Sequence, residues 1–105
     1  MADLMKILQQ AQEMQGRFQK IQDELQRVTV SGSAGGGMVT VEANGQGAVQ
    51  RVKIDPSVVN PADVEMLEDL VLVAVTEAQK KALAQAQQEY GKLTGGLPLP
   101  FKLPL

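Results

Sequence analysis

Residues 4–28 read LMKILQQAQEMQGRFQKIQDELQRV, and this stretch decides the first element of the fold. Apolar side chains recur at alternating spacings of three and four residues, at Leu4, Ile7, Ala11, Met14, Phe18, Ile21, Leu25 and Val28. Such spacing is the a/d seam of a long amphipathic helix, whose apolar edge needs a partner surface. We predict a helix that begins at Asp3, as its N-cap, and runs to about Gln26.

The two flanks of this predicted helix differ in chemistry. One flank carries glutamine at positions 12, 15, 19, 22 and 26, and the other carries Lys6, Glu13, Arg17, Lys20, Glu24 and Arg27. In one interpretation, these polar residues only keep the helix soluble, and Glu13 with Arg17 is an ordinary i, i+4 pair. In the other, the basic side chains bind phosphates and the amides hydrogen-bond to the backbone of duplex DNA, with little sequence dependence. Composition does not choose between them.

A glycine-rich segment, Ser31–Gly37, separates two stretches of strand composition, residues 27–30 and 38–43. We predict that this segment is a flexible connector without regular structure. Its glycine N–H groups would suit a phosphate. However, the segment lacks a P-loop ending and precedes a strand, whereas phosphate loops precede a helix. The connector interpretation is therefore favoured over a nucleotide site.

Asn44-Gly45 predicts a two-residue type I′ hairpin between the second and third strands. This register pairs Val41 with Ala48, and the same face continues through Val52 and Ile54. The opposite face is polar, so we expect an antiparallel sheet with one face for the core. The polar side chains are Thr40, Glu42, Arg51 and Lys53. Both long helices are expected to cover the apolar face.

A turn at Asp55-Pro56-Ser57 ends the predicted sheet. Asn60-Pro61 reads as an N-cap followed by proline at the first helical position, so a second long helix is expected from there to about Leu93. Gly95-Gly96 is expected to stop it.

Residues 66–75 of this second helix are apolar nearly all round. One face would pack on the chain's own sheet and another on a second subunit, which predicts a homodimer. We expect one domain over residues 1–96, followed by an extended or disordered proline-rich tail, Leu97–Leu105.

Composition argues against catalysis. The 105 residues include no histidine and no cysteine, which removes the commonest general bases, thiol nucleophiles and transition-metal ligands. Ten basic and twelve acidic residues give a net charge of −2, opposite in sign to the usual nucleic-acid footprint, so any basic surface must be local. Since no signal peptide or membrane-spanning run is present, we expect a cytoplasmic protein.

Several segments, read together and in order, resemble the YbaB/EbfC family. They are Leu4-Met5-Lys6 with the glutamine-rich heptads, Ser31–Val39, Val52–Ser57, Met66–Leu70 and Leu93–Gly96. The resemblance covers residues 1 to about 97. It implies an α+β fold of order α-β-β-β-α, a tweezer-shaped homodimer and a bacterial nucleoid-associated DNA-binding protein that organises the nucleoid. It implies no enzyme activity and no cofactor.

The resemblance carries no residue-level DNA motif, so the contacts are assigned from local chemistry. The candidate DNA-binding residues are Lys6, Arg17, Lys20 and Arg27 on the first helix and Lys80 and Lys81 on the second, with Arg51 and Lys53 as weaker candidates. We assign no catalytic, cofactor-binding or metal-binding residue. The expected partners are duplex DNA and a second copy of the chain, without a membrane or a small-molecule substrate. The alternative is a structural or protein-binding module that docks a partner helix on its heptad seam.

Overall fold

The computed structural model of the protein describes residues 2–94. Its main elements are α1 (Ala2–Arg27), β1 (Thr29–Ala34), β2 (Val39–Asn44), β3 (Val49–Ile54) and α2 (Val64–Gly91). Short 3-10 helices at Pro56–Val58 and Lys92–Thr94 precede and follow α2. The strands form an antiparallel meander in the order β1-β2-β3. The predicted α-β-β-β-α architecture is therefore confirmed, while the predicted tail lies outside the described residues.

α1 begins one residue earlier than the sequence predicted. Ala2 is already helical, so Asp3 lies in the first turn and is not the N-cap. Its carboxylate still lies where the helix dipole favours a negative charge. The helix ends at Arg27, one residue past the expected end.

β1 is longer than expected, because half of the predicted connector belongs to it. Residues 31–34 continue the strand and pair with β2 as far as Ala34 opposite Val39. Only residues 35–38 form the turn. Gly35, Gly36 and Gly37 have φ angles of 64°, 67° and 93°, a region that glycine adopts without steric strain.

Gly32 remains in the strand because α2 lies directly on it. A Cβ at this position would be 2.3 Å from the Ala74 carbonyl oxygen and 2.4 Å from the Ala78 backbone nitrogen. A glycine inside a strand often marks such a close approach of another backbone. Gly32, which suggested a loop in the sequence, thus allows α2 to pack closely on β1.

The β2–β3 connection is a three-residue loop and not the predicted type I′ turn. The Asn44 N–H donates to the Ala48 carbonyl at 3.0 Å, and the Gly47 N–H donates to the Asn44 carbonyl at 3.0 Å. Gly47 has a φ of 86°, as expected for the left-handed residue that closes such a loop. The buried Asn44 side chain also accepts from the N–H groups of Gln46 at 2.9 Å and Ala48 at 3.0 Å.

The predicted pairing of Val41 with Ala48 is wrong. The longer loop and a β-bulge between Glu42 and Ala43 together displace β3, so Val41 pairs with Val52 instead. This displacement spans an even number of residues, and strand side chains alternate with a period of two. Val52 and Ile54 therefore stay on the apolar face, as predicted.

α2 lies on the apolar face of the sheet, over β1 and β2. Ala74, Ala78 and Ala82 are fully buried there, and their small side chains allow the helix to approach the strands closely. Val39 and Val41 of β2 are also fully buried and form the centre of the core. The opposite face carries the polar side chains that the sequence predicted.

The N-cap of α2 is Asp63, so the prediction of Asn60 is wrong. The Asp63 carboxylate accepts from the Met66 N–H at 3.2 Å. Asn60 instead closes a turn before the helix, where its side chain accepts from the Ala62 N–H at 3.0 Å. Both residue types are good N-caps, and only the backbone path distinguishes them.

α2 ends at Gly91, slightly before the predicted Leu93, and the chain continues as the 3-10 helix Lys92–Thr94. The predicted stop at Gly95-Gly96 lies outside the described residues. Between the sheet and α2, the predicted turn at residues 55–57 is confirmed as the 3-10 helix Pro56–Val58.

α1 covers much less of the sheet than expected, since only its last turns reach the body. Ile21 and Leu25 are buried, and the Gly45 N–H of the β2–β3 loop donates to the Leu25 carbonyl at 2.7 Å. One turn earlier, the ring centroids of Phe18 and Tyr90 lie 4.9 Å apart and connect α1 to α2. Neither helix covers β3, whose six residues are all exposed.

Candidate nucleic-acid interface

The N-terminal two-thirds of α1 form an arm that projects from the body. All side chains from Asp3 to Lys20 are exposed, and burial begins at Ile21. The helix remains regular through this region because its 26 residues contain no proline and mostly good helix formers. The molecule is correspondingly elongated, at 72 × 25 × 16 Å.

The structure brings four of the predicted DNA-binding residues together on this one helix. Lys6, Lys20 and Arg27 are separated by multiples of seven residues, so they lie along one stripe. Arg17 lies one turn from Lys20. Within residues 2–94, neither of the two ion pairs involves any of these side chains. Their charges are therefore available to an external anion.

The stripe is not purely basic. Glu13 lies between Lys6 and Lys20, and the Gln19 amide donates to the Asp23 carboxylate at 3.2 Å across the neighbouring face. These acidic groups reduce the positive potential of the arm, in keeping with the net charge of −2.

Lys80 and Lys81 lie on α2 and differ from each other. The Lys81 ammonium donates to the Ser31 carbonyl at 2.9 Å and forms an ion pair with Glu77 at 3.2 Å. It therefore connects α2 to the edge strand β1, a role that sequence reasoning missed although the i, i+4 spacing of Glu77 and Lys81 signals the ion pair. Lys80 is exposed.

Arg51 and Lys53, the weaker candidates, lie on the polar face of the sheet. Each faces a β2 residue across the ladder, Arg51 opposite Glu42 and Lys53 opposite Thr40. The four side chains line a shallow depression of about 100 Å³. The Glu42 carboxylate lies among these basic groups and lowers the positive potential of the depression.

A larger open cleft of about 520 Å³ lies where α1, the β2–β3 loop and α2 meet. Gln46 donates to the Gln22 carbonyl at 3.3 Å, and Gln79 donates to the Gly47 carbonyl at 3.2 Å. None of the described residues that line this cleft is charged. Within residues 2–94, no group of three or more Asp or Glu side chains is placed to hold a metal ion. Across that same part of the chain, none of the helices is both long and apolar enough to span a bilayer.

An apolar surface remains uncovered beside α2. Val49, Val52 and Ile54 of β3 share the apolar face of the sheet but lie beyond the reach of α2. On α2 itself, Leu72 is 64% exposed and Val73 is 54% exposed. These exposed aliphatic side chains form an apolar surface outside the core.

The fold matches that of a solved protein. The crystal structure of an uncharacterized protein from Helicobacter pylori has a TM-score of 0.77 and 21% sequence identity, and the match covers 85% of this chain and 94% of that one. At this identity, the similarity concerns the fold alone.

Sequence comparison extends over nearly the whole chain. A nucleoid-associated protein of Gemmatimonas aurantiaca is 56% identical, with 97% of this chain and 98% of the relative covered. A nucleoid-associated protein of Bartonella bacilliformis is 44% identical, with 99% and 98% covered. The model of the YbaB/EbfC DNA-binding family matches residues 1–97. The chain therefore belongs to the YbaB/EbfC DNA-binding family.

Proposed function

We propose that this protein is a nucleoid-associated protein that binds duplex DNA as a homodimer, mainly through phosphate contacts and with little sequence specificity. The observation that carries the proposal is α1, which presents four exposed basic side chains outside any ion pair of the described residues, three of them on the arm and Arg27 at its base. The curated relatives named as nucleoid-associated proteins support the same role. Such a role places the protein in the cytoplasm, on the nucleoid, where its binding to DNA would affect transcription.

The chemistry of the arm favours phosphate recognition over base readout. Lysine and arginine on one stripe of a helix neutralise backbone charges, and glutamine amides on the other flank add hydrogen bonds to phosphate or sugar oxygens. Such contacts fix position on a duplex but carry little sequence information. Lys80 on α2 is exposed and is a separate candidate for a phosphate contact, whereas the ammonium of Lys81 is already held by Ser31 and Glu77.

The DNA proposal is tested by the double substitution Arg17→Ala with Lys20→Ala. We expect the variant to stay folded, to bind all duplex sequences more weakly by a similar factor, and to lose about one unit of salt slope per lost contact. The matched control is Gln12→Ala with Gln15→Ala on the uncharged flank, which should retain the full slope. Gel-shift titrations at two or more salt concentrations give these values.

Two outcomes would contradict the DNA proposal in different ways. If the double variant keeps wild-type affinity at low salt, the contacts do not lie at Arg17 and Lys20. If the wild-type protein does not bind duplex DNA at low salt, the alternative function is favoured, in which the exposed apolar seam of α1 docks a partner helix without nucleic acid.

We also propose that the homodimer forms over the uncovered apolar surface of β3 and α2. β3 is an edge strand whose apolar side chains have no cover from either helix of the same chain, and a second copy would bury them together with Leu72. A two-fold contact of this kind uses the same patch on both subunits.

The dimer proposal is tested by Val52→Glu, measured by sedimentation at micromolar protein. Val52 is 45% exposed in the single chain, so the carboxylate should remain solvated in the monomer and prevent association. We prefer it to Val71→Glu, because Val71 packs against the core of its own chain and its loss would also unfold the monomer. Thr40→Glu, on the polar face, is the control and should stay dimeric. A wild-type protein of monomer mass, or a Val52→Glu variant of dimer mass, would refute the proposed interface.

A further inference from the structure

The α1 arm carries an apolar seam that is exposed in the described part of the chain. Leu4 is 62% exposed and Ile7 is 60% exposed, and Leu8 and Met14 are also largely exposed. Further along the seam, toward the C-terminus of α1, Phe18 contacts Tyr90 of α2. Residues 3–17 thus form two heptads of preformed amphipathic helix, about 22 Å long, whose seam is exposed among residues 2–94.

Two charged residues flank this seam within residues 3–17, one acidic near the start and one basic at the end. With Leu4 and Ile7 at heptad positions a and d, the g flank of residues 3–17 carries Asp3, Gln10 and Arg17. The e flank carries Leu8 and Gln15. Flanking charges select the partner and the orientation of a coiled coil.

In a parallel pair of identical helices, the g flank of one faces the e flank of the other. Asp3 would then face Leu8, and Arg17 would face Gln22, so neither charge gains a partner. In an antiparallel pair, equivalent flanks face each other. Asp3 of one copy can then meet Arg17 of the other, and two-fold symmetry forms this ion pair twice.

In one antiparallel register, apolar side chains pack on each other along the seam and the opposite charges on the flank also pair. This register places Leu4 opposite Met14 and Ile7 opposite Ala11, which brings Asp3 opposite Arg17. On the other flank it places Leu8 beside Leu8 of the second copy. Sliding one helix by a heptad in either direction loses the ion pair, and one of the two shifts sets Asp3 opposite Glu24, a like-charge pair.

We infer that residues 3–17 of α1 are a self-association surface, on which the same segment of a second copy packs antiparallel with Asp3 facing Arg17. The overlap ends before Phe18, so it leaves the contact with Tyr90 undisturbed. Lys6 lies on the same flank as Arg17 but outside the g positions, and Lys20 and Arg27 lie beyond the overlap, so these three remain free for phosphates. Arg17 can serve the ion pair or a phosphate, but not both at once. The contact is separate from the proposed β3 interface and does not require DNA.

The test uses single cysteines in a chain that has none of its own. Leu8→Cys, treated with a short thiol-to-thiol crosslinker without DNA, should give covalent pairs on a denaturing gel. Gln12→Cys, on the outer face of the same helix, is the matched control and should remain mostly single. Equal yields at the two positions, or no covalent pairs from Leu8→Cys, would overturn the inference. Efficient crosslinking at Ala11→Cys in place of Leu8→Cys would indicate parallel packing and also overturn it.

A charge swap tests the register. In the Leu8→Cys background, Asp3→Arg or Arg17→Asp alone should lower the crosslinking rate by roughly three- to tenfold, as expected for the loss of two exposed ion pairs. The double variant restores opposite charges and should recover most of the rate. If it crosslinks as slowly as the single variants, the Asp3–Arg17 register is wrong. Since all these measurements exclude DNA, failure here leaves the DNA-binding proposal standing, and the reverse also holds.

Discussion

Replacing Gly32 by alanine should strongly destabilise the protein, because the added methyl group overlaps the backbone of α2. The new Cβ would lie 2.3 Å from the Ala74 carbonyl oxygen and 2.4 Å from the Ala78 backbone nitrogen. Ordinary van der Waals contact begins near 3.4 Å, so α2 and β1 must separate by about 1 Å. Both obstructing atoms belong to the backbone of a regular helix, and no change of side-chain rotamer can relieve the overlap.

The expected magnitude follows from this geometry. Overpacking a core by a methylene typically costs about 1–3 kcal/mol, and a clash with backbone on two sides belongs at the upper end. For a domain of this size, about 3 kcal/mol lowers the melting temperature by roughly 12–24 °C. Thermal unfolding followed by far-UV circular dichroism, at matched protein concentration, measures the change.

Gly16→Ala is the matched control, because the same methyl group should have the opposite effect. Nothing lies within 4 Å of a Cβ at this helical position. Alanine is favoured over glycine in a helix interior by about 1 kcal/mol, so α1 should gain helicity. A Gly32→Ala protein that melts less than about 4 °C below the wild type would refute the described packing of α2 on β1.

Two further substitutions test local features of the fold. Asn44→Ala removes the side-chain acceptor of two loop N–H groups, Gln46 and Ala48, and should lower the free energy of unfolding by about 1–2 kcal/mol in urea titrations; an unchanged urea midpoint would contradict those bonds. The backbone N–H of Ser57 and, with a smaller effect, its hydroxyl hold the pKa of Asp55 below its ordinary value. A depressed carboxyl pKa stabilises the fold fully above the unfolded value of about 3.9 and progressively less as the pH falls through the folded value. Asp55→Asn should therefore be less stable than the wild type near neutral pH, and this difference should shrink below about pH 4; a difference that stays constant with pH would refute the assignment.

The order of elements and the faces of the sheet were predictable because they depend on periodicity. The seam of α1 repeats without interruption, and the alternation in Val39–Ala43 sets which side chains point to the core. A hairpin register wrong by an even number of residues left those faces unchanged. Patterning thus fixed the architecture even where the turn was misassigned.

Tertiary contacts account for what the sequence could not predict. Gly32 reads as a loop residue until α2 is seen lying on it, and Asn60 and Asp63 compete as caps until the backbone path is known. The exposure of β3 could not be predicted from the sequence either, because Val52 and Ile54 alternate with polar residues just as core residues do. At the candidate site, α1 spacing placed Lys6, Lys20 and Arg27 on one stripe, whereas the structural role of Lys81 emerged only from its bond to Ser31.

α1 is attached to the body by its last turns, so Leu25 acts as its pivot, the point about which the rest of the helix would rotate. About 32 Å of helix separates Leu25 from Leu4, so a rotation of 10° at the pivot moves the tip by about 5 Å. The pivot is one tight contact, where Leu25 meets Gly45, braced by the rings of Phe18 and Tyr90. A change of side-chain volume at Gly45 or Tyr90 would therefore alter the distance between the two α1 helices of the proposed dimer, while every residue proposed to contact DNA stays the same.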